Sequence, residues 1–142
     1  MFLDLNGFKQ LNDTYGHDAG DLILIETADR IQKTVRSNDL VFRLGGDEFI
    51  IIIKDIRAKA DAKIVANNIL QGFAIQMMIQ GNALEVSLSM GIALSPDDSR
   101  ISKEIIKFAD LAMYKAKRDK QASYQFFEPS LQTAMPNKRP IK

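Results

Sequence analysis

Two carboxylates that lie far apart in the sequence, Asp4 and Asp47, occupy positions from which their side chains can meet. Asp4 lies near the end of the apolar segment at residues 1–5, which is typical of a strand, and Asp47 lies in a glycine turn between two apolar segments. If those strands are neighbours, the carboxylates converge and can bind Mg²⁺, which prefers oxygen ligands and completes its shell with water and phosphates. Each residue also has a purely structural interpretation, because Asp is common at strand ends and in turns.

The glycine turn carries a second signal. Gly45 and Gly46 alone would indicate only a tight turn, since glycine adopts conformations that other residues avoid. Asp47 and Glu48 follow them directly, between two apolar strands, where adjacent acids are costly unless water or cations offset their charge. Backbone amides without side chains also allow a phosphate group to approach closely. The pattern therefore favours a site for a metal and a polyphosphate over hairpin geometry alone.

Strands and helices alternate along the chain in an order that can bring these residues together. Helix starts are indicated by an acidic capping box at Asp18 and Asp21 and by Ser102 as an N-cap. The periodicity of apolar residues predicts a strand at 1–5, helices at 7–15 and 18–36, a hairpin of 40–44 with 48–54, a helix at 58–73, a long strand with one apolar face at 84–94, a helix from 102 and an edge strand at 124–127. This order predicts an α+β fold with a largely antiparallel central sheet covered by helices.

Length and composition limit the classes of protein to consider. With 142 residues, 46% hydrophobic and 26% charged, the chain is long enough for one globular domain and too apolar for a disordered one. The net charge of +1 excludes the strongly basic surface of a nucleic-acid binder. No apolar segment approaches the roughly 20 residues of a membrane span, and the sequence contains no cysteine. We therefore expect a cytoplasmic protein that binds no nucleic acid and has no membrane segment.

Several motifs in a consistent order resemble the GGDEF family of diguanylate cyclases. Residues 45–49 spell Gly-Gly-Asp-Glu-Phe, from which that family takes its name. Further segments similar to the family lie at residues 4–9, 12–21, 89–93 and 109–117, so that the resemblance covers residues 2–127. The resemblance implies a nucleotidyl-cyclase-like fold with a palm-like, ferredoxin-like core. It also implies an activity, the condensation of two GTP molecules into cyclic di-GMP with release of pyrophosphate.

The resemblance also suggests how the domain is delimited. The family normally opens with an Asp-x-Leu-Thr-x-Leu-x-Asn-Arg segment, a helix and most of the first strand, and the sequence contains none of these. We interpret residues 1–128 as a GGDEF domain lacking its first helix and part of its first strand, and residues 129–142 as an irregular tail. We expect a hydrophobic sheet edge to be exposed as a result. Residues 124–129 resemble the exit from GGDEF domains that lead into a phosphodiesterase EAL domain.

The family resemblance assigns roles to individual residues around GTP and a divalent ion, Mg²⁺ or Mn²⁺. It implies that Asp4, Asp47 and the carbonyl group of Leu5 bind the metal, and that Glu48 supports a second ion. Asp47 and Glu48 are the implied catalytic residues. Asp47 helps to deprotonate the ribose 3′-hydroxyl, which attacks the α-phosphate of a GTP held by a second subunit, so that a homodimer is needed. The implied substrate-binding residues are Asn12 and Asp21 at the guanine edge, Phe8 and His17 lining the pocket, and Gly45, Gly46 and Lys117.

Some of these residues have a structural alternative. Phe8 can be a core aromatic, and His17, taken alone, can be merely exposed. Arg36 and Asp39 resemble the family's inhibitory Arg-x-x-Asp site for cyclic di-GMP, and a guanidinium with a carboxylate can bind the phosphate and guanine of a nucleotide. Alternatively, Arg36 interacts with the dipole of the helix that it ends, and Asp39 simply begins the next strand.

One position departs from the family pattern. Where the family has an arginine that contacts phosphate, the sequence has Gln121, which weakens triphosphate binding unless Arg118 or Lys120 substitutes for it.

An active cyclase with product inhibition is the leading interpretation. The alternatives are a catalytically inactive module that binds GTP or cyclic di-GMP as a regulatory receptor, and a non-functional fragment that folds by pairing with itself.

Overall fold

The computed structural model describes residues 1–134. In chain order its elements are β1 (Phe2–Leu5), α1 (Phe8–Tyr15), α2 (His17–Thr34), β2 (Leu40–Gly45), β3 (Glu48–Ile52), α3 (Lys59–Phe73), β4 (Met77–Ile79), β5 (Asn82–Leu84), β6 (Leu88–Ile92), α4 (Ser102–Arg118), β7 (Tyr124–Phe126) and α5 (Leu131–Ala134). The first strand, the first three helices, the glycine hairpin and the last edge strand confirm the sequence predictions to within two residues. None of the helices in this part of the chain has the length and apolar character of a membrane-spanning segment.

Five strands form the central sheet, in the spatial order β2, β3, β1, β6, β7. Neighbouring strands are antiparallel except for β6 and β7, which are parallel. The strand β1 lies in the middle, and its Asp4 stands opposite Glu48 of β3 and Ser89 of β6. The predicted α+β fold with a largely antiparallel sheet is confirmed.

Helices pack on both faces of this sheet. On one face, Leu3 joins the main core with side chains of α2 and α3, among them Ile23. On the other face, Phe2 packs against Met113 of α4. Because side chains alternate between the two faces of a strand, Asp4 lies on the same face as Phe2, under the end of α4.

The strand β6 lies directly under α4, and this contact corrects one prediction. A Cβ atom at Gly91 would lie 1.8 Å from the carbonyl oxygen of Ala109 and 2.2 Å from the amide nitrogen of Met113, so that glycine is needed for the close approach. All five residues of β6 are buried. The prediction of one long strand with a single apolar face is wrong, because the small residues of the other face lie under a helix and β5 and β6 are separate strands.

The β4–β5 hairpin was not predicted from the sequence. Gln80 and Gly81 connect its strands and have φ values of 50° and 82°, as a two-residue type I′ turn requires. Met77 and Leu84, which pair across the hairpin, are both buried in the main core. The sequence signal for this hairpin was a glycine between two short apolar segments, which is also compatible with an ordinary loop.

The predicted capping box at Asp18 and Asp21 is wrong. Helix α2 already begins at His17, its N-cap is Gly16, and no side chain caps it. Asp18 therefore lies inside the first helical turn. Its negative charge can still interact with the positive end of the helix dipole there.

The predicted N-cap of α4 is also displaced. The N-cap is Ile101, so that Ser102 is the first helical residue. Ser99 occupies the capping environment instead, since its Oγ accepts a hydrogen bond from the Ile101 amide at 3.0 Å and donates one to Glu104 at 2.7 Å. Ser99, which precedes the helix, can bond both the Ile101 amide and the Glu104 side chain of the first turn. The capping hydroxyl is therefore that of Ser99 and not that of Ser102.

The segment after β7 is more ordered than the predicted irregular tail. Phe127 stacks on Phe108 of α4 with ring centroids 4.1 Å apart, and Leu131 in α5 is buried in the same cluster. The prediction of irregular structure is therefore wrong for residues 131–134, because these apolar side chains anchor a helical turn to α4. The rest of the predicted tail, residues 135–142, lies outside the described residues.

The edge of the sheet at β2 carries exposed apolar side chains. Leu40, Phe42 and Ile52 are 39%, 49% and 45% exposed. Leu40 and Ile52 stand opposite each other in the β2–β3 pair, whereas α4 packs on β1, β6 and β7. Among the residues that the structure describes, none covers the exposed apolar side chains on the β2 side of this face.

Candidate functional site

Asp4 and Asp47 meet at the end of β1, as the sequence predicted. Asp47 lies in the turn between β2 and β3, and its carbonyl oxygen accepts a hydrogen bond from the Leu5 amide at 3.3 Å. Burial, a hydrogen bond with Asp4 and the negative charge of Asp4 raise the pKa of Asp47 to about 6, against an opposing effect of Lys117. The two carboxylates therefore form a pair whose negative charge a cation would stabilise.

Lys117, in the last turn of α4, reaches this pair from above the sheet. Its Nζ donates to Oδ2 of Asp4 at 2.6 Å, and the Asp4 side chain is 5% exposed. The sequence predicted Lys117 as a substrate-binding residue, and the structure places its ammonium group on the carboxylate pair. The Lys117 side chain remains 36% exposed, so that it borders both the acids and the surrounding solvent.

The glycine turn holds Asp47 against β1 while leaving its outer side open. Gly45 and Gly46 have φ values of 150° and 52°, which glycine adopts more readily than other residues. The pairing of β2 with β3 shifts between Arg43 and Gly45, and Arg43 Nε donates to the Gly46 carbonyl oxygen at 2.9 Å. Within residues 1–134, and apart from the adjoining residues of the chain, no atom lies within 4 Å of a Cβ position built on either glycine. A bulky anionic group can therefore approach the turn closely.

The acids at this end of the sheet suit a metal bound by two carboxylates rather than a cage of protein ligands. Glu48 is 3% exposed and stands opposite Asp4 in the strand pair. Among residues 1–134, however, no three His, Cys, Asp or Glu side chains form a group that could hold an ion. Glu48 thus does not complete a three-acid cluster with Asp4 and Asp47. Mg²⁺ commonly takes one or two protein carboxylates, which Asp4 and Asp47 supply beside the backbone of Leu5.

Helices α1 and α2 carry the residues predicted to bind guanine, and a glycine brings these helices together. A Cβ atom at Gly20 would lie 1.7 Å from Oδ1 of Asn12. In the described part of the chain this Oδ1 atom is buried and has no hydrogen-bond partner. Asp21, the residue after Gly20, is exposed on α2. Asn12 and the start of α2 therefore lie side by side, with an amide oxygen that lacks a partner within residues 1–134 and an exposed carboxylate.

The two predicted pocket-lining residues differ in their surroundings. Phe8, the first residue of α1, is half-buried and packs against the main core, which agrees with its alternative interpretation as a packing residue. His17, the first residue of α2, is exposed. Phe8 thus helps to anchor α1 on the core, whereas His17 is accessible to a ligand.

The pair predicted as an inhibitory site is held by internal hydrogen bonds. The Asp39 side chain is 1% exposed and accepts hydrogen bonds from the Arg36 amide at 2.9 Å, the Lys54 amide at 3.0 Å and the Arg36 guanidinium. Burial opposes ionisation of Asp39, but these hydrogen bonds outweigh it and hold the pKa of Asp39 below its ordinary value. Arg36 also donates to the Lys54 carbonyl oxygen, and its side chain is 54% exposed. The carboxylate is thus committed to the fold, and the guanidinium is the accessible member of the pair.

The position where the family has a phosphate-contacting arginine lies just beyond α4. Gln121 is exposed, and its backbone amide donates to Oδ1 of Asp119 at 3.0 Å. Arg118 and Lys120 on either side are also exposed. Neither of these cations forms a salt bridge in the described part of the chain, so both can interact with an anion.

Sequence reasoning assigned no role to Asn6, which follows the strand end that carries Asp4. Its side chain accepts a hydrogen bond from Ser89 Oγ at 2.8 Å and donates one to Ser87 Oγ at 3.0 Å. The separation of more than 80 positions along the chain leaves no local signal for these contacts. Only the register of β1 against β6 brings the three side chains together.

The sequence matches the family described as diguanylate cyclase, GGDEF domain, over residues 1–123. It is 44% identical over 131 residues to the bifunctional diguanylate cyclase/cyclic di-GMP phosphodiesterase MucR of Pseudomonas aeruginosa. The aligned segment covers 92% of this chain and 19% of MucR. It is 39% identical to the diguanylate cyclase TpbB of the same species, over 90% of this chain and 30% of TpbB. The chain therefore spans less than a third of the length of these relatives.

Solved structures show the same fold. The crystal structure of the GGDEF domain of TpbB, also called YfiN, superposes with a TM-score of 0.87 at 39% identity, covering 89% of this chain and 80% of that one. The GGDEF domain of DgcB from Caulobacter crescentus, solved in complex with c-di-GMP, superposes with a TM-score of 0.69 at 26% identity, covering 89% and 74% of the two chains.

Proposed function

This chain belongs to the GGDEF family of diguanylate cyclase domains, and on that premise we propose that it condenses two GTP molecules into cyclic di-GMP and two pyrophosphates. The observation that carries the proposal is the meeting of Asp4 and Asp47 beside an open glycine turn. Cyclisation needs two phosphodiester bonds, each formed when a ribose 3′-hydroxyl attacks the α-phosphate of the other nucleotide. A site for this reaction must bind triphosphate, orient a hydroxyl group and accept its proton.

The carboxylate pair is suited to two of these tasks. Asp4 and Asp47, with the Leu5 carbonyl, would hold Mg²⁺ or Mn²⁺, and the bound ion would neutralise the triphosphate and make the α-phosphate more electrophilic. Asp47 lies on the open turn and accepts the proton of the 3′-hydroxyl as it attacks. Glu48 adds negative charge next to Asp4 for a second ion.

Other residues bind the phosphates and the base. Lys117 neutralises phosphate charge from the end of α4, and Gly45 with Gly46 lets the phosphates approach the turn. The Asn12 amide and the Asp21 carboxylate suit the mixed acceptors and donors of the guanine edge, which adenine does not share. The Asn12 oxygen that lacks a partner within residues 1–134 supports this assignment, because buried polar atoms normally form hydrogen bonds. Phe8 and His17 border the base.

Each chain holds one GTP in this scheme, so that catalysis requires two half-sites to face each other in a homodimer. The reaction uses a cytosolic nucleotide, which is our reason for placing the domain in the cytoplasm. Cyclic di-GMP inhibits its own synthesis at Arg36 and Asp39, where the half-exposed guanidinium is the group available to a ligand. The c-di-GMP complex of the DgcB domain, which is similar to this chain, supports binding of the product.

The decisive experiment incubates the purified protein with GTP and Mg²⁺ and separates the products by chromatography. We expect cyclic di-GMP and pyrophosphate from the wild type, none from Asp47→Ala, and normal amounts from Asp29→Asn, which changes an acid of α2 that pairs with Lys33 of the same helix. GTP binding in calorimetry without any product would contradict the cyclase and select the regulatory receptor. Sedimentation and thermal melting test the remaining alternative, because a chain that melts cooperatively only as a self-associated species and forms no cyclic di-GMP would be a non-functional fragment.

A further inference from the structure

Asn6, immediately after the strand that carries Asp4, forms three hydrogen bonds with β6 and with Ser87, the residue that precedes β6. Its backbone amide donates to the Ser87 carbonyl oxygen at 2.9 Å. Its side-chain Nδ2 donates to Ser87 Oγ at 3.0 Å, and its Oδ1 accepts from Ser89 Oγ at 2.8 Å. Both ends of the Asn6 amide are therefore engaged, one with a buried and one with an exposed serine.

The buried serine in this network is the cross-strand neighbour of the metal-binding acid. Ser89 is 3% exposed and stands directly opposite Asp4 in the β1–β6 pair. Directly opposed residues of an antiparallel pair project to the same face of the sheet. Asn6, two residues after Asp4, lies on that face as well. The amide of Asn6 thus fixes the chain immediately beside the carboxylate pair.

Asn6 also stands between two groups of functional residues. Before it come Asp4 and Leu5 at the strand end, and after it the chain turns at Gly7, with φ of 64°, into α1 with Phe8 and Asn12. Gly7 caps α1 without any side-chain hydrogen bond. Within residues 1–134 the side-chain hydrogen bonds that attach this junction to the sheet are those of Asn6.

We propose that Asn6 is a positioning residue that sets the distance and angle between the metal-binding strand end and the guanine-binding helix. This inference rests on the proposed function. Asn6 touches neither substrate nor metal in this scheme; it acts through the Ser89 hydroxyl and the turn at Gly7. GTP must span both groups at once, so loosening the junction weakens GTP binding before it affects the chemical step.

The test compares Asn6→Ala, Ser89→Ala and the double variant with the wild type. Loss of one neutral hydrogen bond corresponds to about a fivefold change in an equilibrium. We expect Ser89→Ala to raise KM for GTP about fivefold, and Asn6→Ala, which also loses the hydrogen bond to Ser87, to raise it by at least as much; each should change kcat less than about twofold. The double variant should resemble Asn6→Ala, because that change already removes the contact with Ser89. Asn68→Ala, an exposed asparagine of α3, is the matched control and should leave KM unchanged.

Two further measurements keep this inference separate from the proposed function. Calorimetry with a non-hydrolysable GTP analogue and Mg²⁺ should show a loss of affinity that matches the rise in KM of each variant. Amide hydrogen exchange at Leu11, whose amide donates to the Gly7 carbonyl oxygen at 3.1 Å, should accelerate in both single variants. If the wild type binds the GTP analogue but forms no cyclic di-GMP, the proposed cyclase activity is contradicted. The affinities of the variants for the analogue then decide the positioning role by themselves. Unchanged KM and affinity in Asn6→Ala, or additive losses in the double variant, would overturn the positioning role even in an active enzyme.

Discussion

Gly20→Ala tests the guanine site through a residue that does not itself touch the base. The new Cβ atom would lie 1.7 Å from Oδ1 and 2.9 Å from Cγ of Asn12. Carbon and oxygen atoms that are not bonded normally stay about 3.4 Å apart, so the Asn12 amide must move by about 1.7 Å. A shift of this size breaks any hydrogen bond that Asn12 makes to guanine, since such bonds tolerate only a few tenths of an ångström.

The expected cost falls on binding more than on folding. Leaving a polar group of a bound base without its partner costs about 1–3 kcal/mol, so KM for GTP should rise about 5- to 150-fold. The clash itself costs about 1–3 kcal/mol, but alanine offsets about 1 kcal/mol of this by its higher helix propensity. The free energy of unfolding should therefore fall by less than about 2 kcal/mol, because the displaced atoms are the end of a flexible side chain.

The assay is steady-state cyclic di-GMP synthesis over a range of GTP concentrations, with thermal melting in parallel. Gly72→Ala is the control, because within residues 1–134 no atom outside the backbone of its own helix α3 lies within 4 Å of its Cβ position; it should leave KM unchanged and stability equal or slightly higher. The double variant Gly20→Ala/Asn12→Ala should bind GTP no worse than Asn12→Ala alone. A folded Gly20→Ala protein with KM within twofold of the wild type would refute the role of Asn12 in base binding.

Four further changes probe the acids, the inhibitory pair and the altered phosphate position. Asp47→Asn should lower turnover at least about 100-fold, yet melt no lower than the wild type in the absence of metal, because it removes repulsion from Asp4. Arg36→Ala should raise the cyclic di-GMP concentration for half-inhibition about tenfold or more. Asp39→Asn should lower the free energy of unfolding by about 1–3 kcal/mol at neutral pH. The pKa of Asp39 is lowered in the fold, so the stability difference between the wild type and Asp39→Asn is fully present above the ordinary pKa of 3.8. It disappears as the pH falls through the lower pKa of the folded protein. Gln121→Arg should lower KM for GTP about threefold by adding a phosphate contact.

Each of these expectations has a contrary result. Turnover that survives in Asp47→Asn, with Asp29→Asn as the comparison, would remove the proton acceptor from the mechanism. Inhibition that is unchanged in Arg36→Ala would place the product elsewhere. If Asp39→Asn is as stable as the wild type from pH 3 to pH 7, the hydrogen bonds from the Arg36 and Lys54 backbone amides do not require a negative charge at residue 39. Unchanged KM in Gln121→Arg would show that this exposed position does not reach the phosphates.

The sequence was sufficient for the order of most elements and for the meeting of Asp4 with Asp47. Apolar periodicity depends on which side of an element is buried, so it locates strands and helices without knowledge of their partners. The glycine turn could be located because positive φ values restrict the choice of residue. The alternation at 84–94 was misleading, because small residues opposite an apolar face suit either solvent or a closely packed helix. At Gly91 the small residue faces α4, whose backbone packs directly against it.

Contacts between distant segments depended on the tertiary structure. Lys117 is 113 positions from Asp4 in the sequence, and whether its ammonium reaches that carboxylate depends on the angle at which α4 crosses the sheet. Asn6 meets Ser89 only because β1 and β6 pair in one particular register. Arg36 and Asp39 are close in sequence, yet the burial of Asp39 depends on Lys54 of a different segment. The amino-acid types and their spacing thus determined which groups were available, whereas strand register and helix packing decided which of them share one site, because hydrogen bonds and ion pairs act over a few ångströms whatever the separation along the chain.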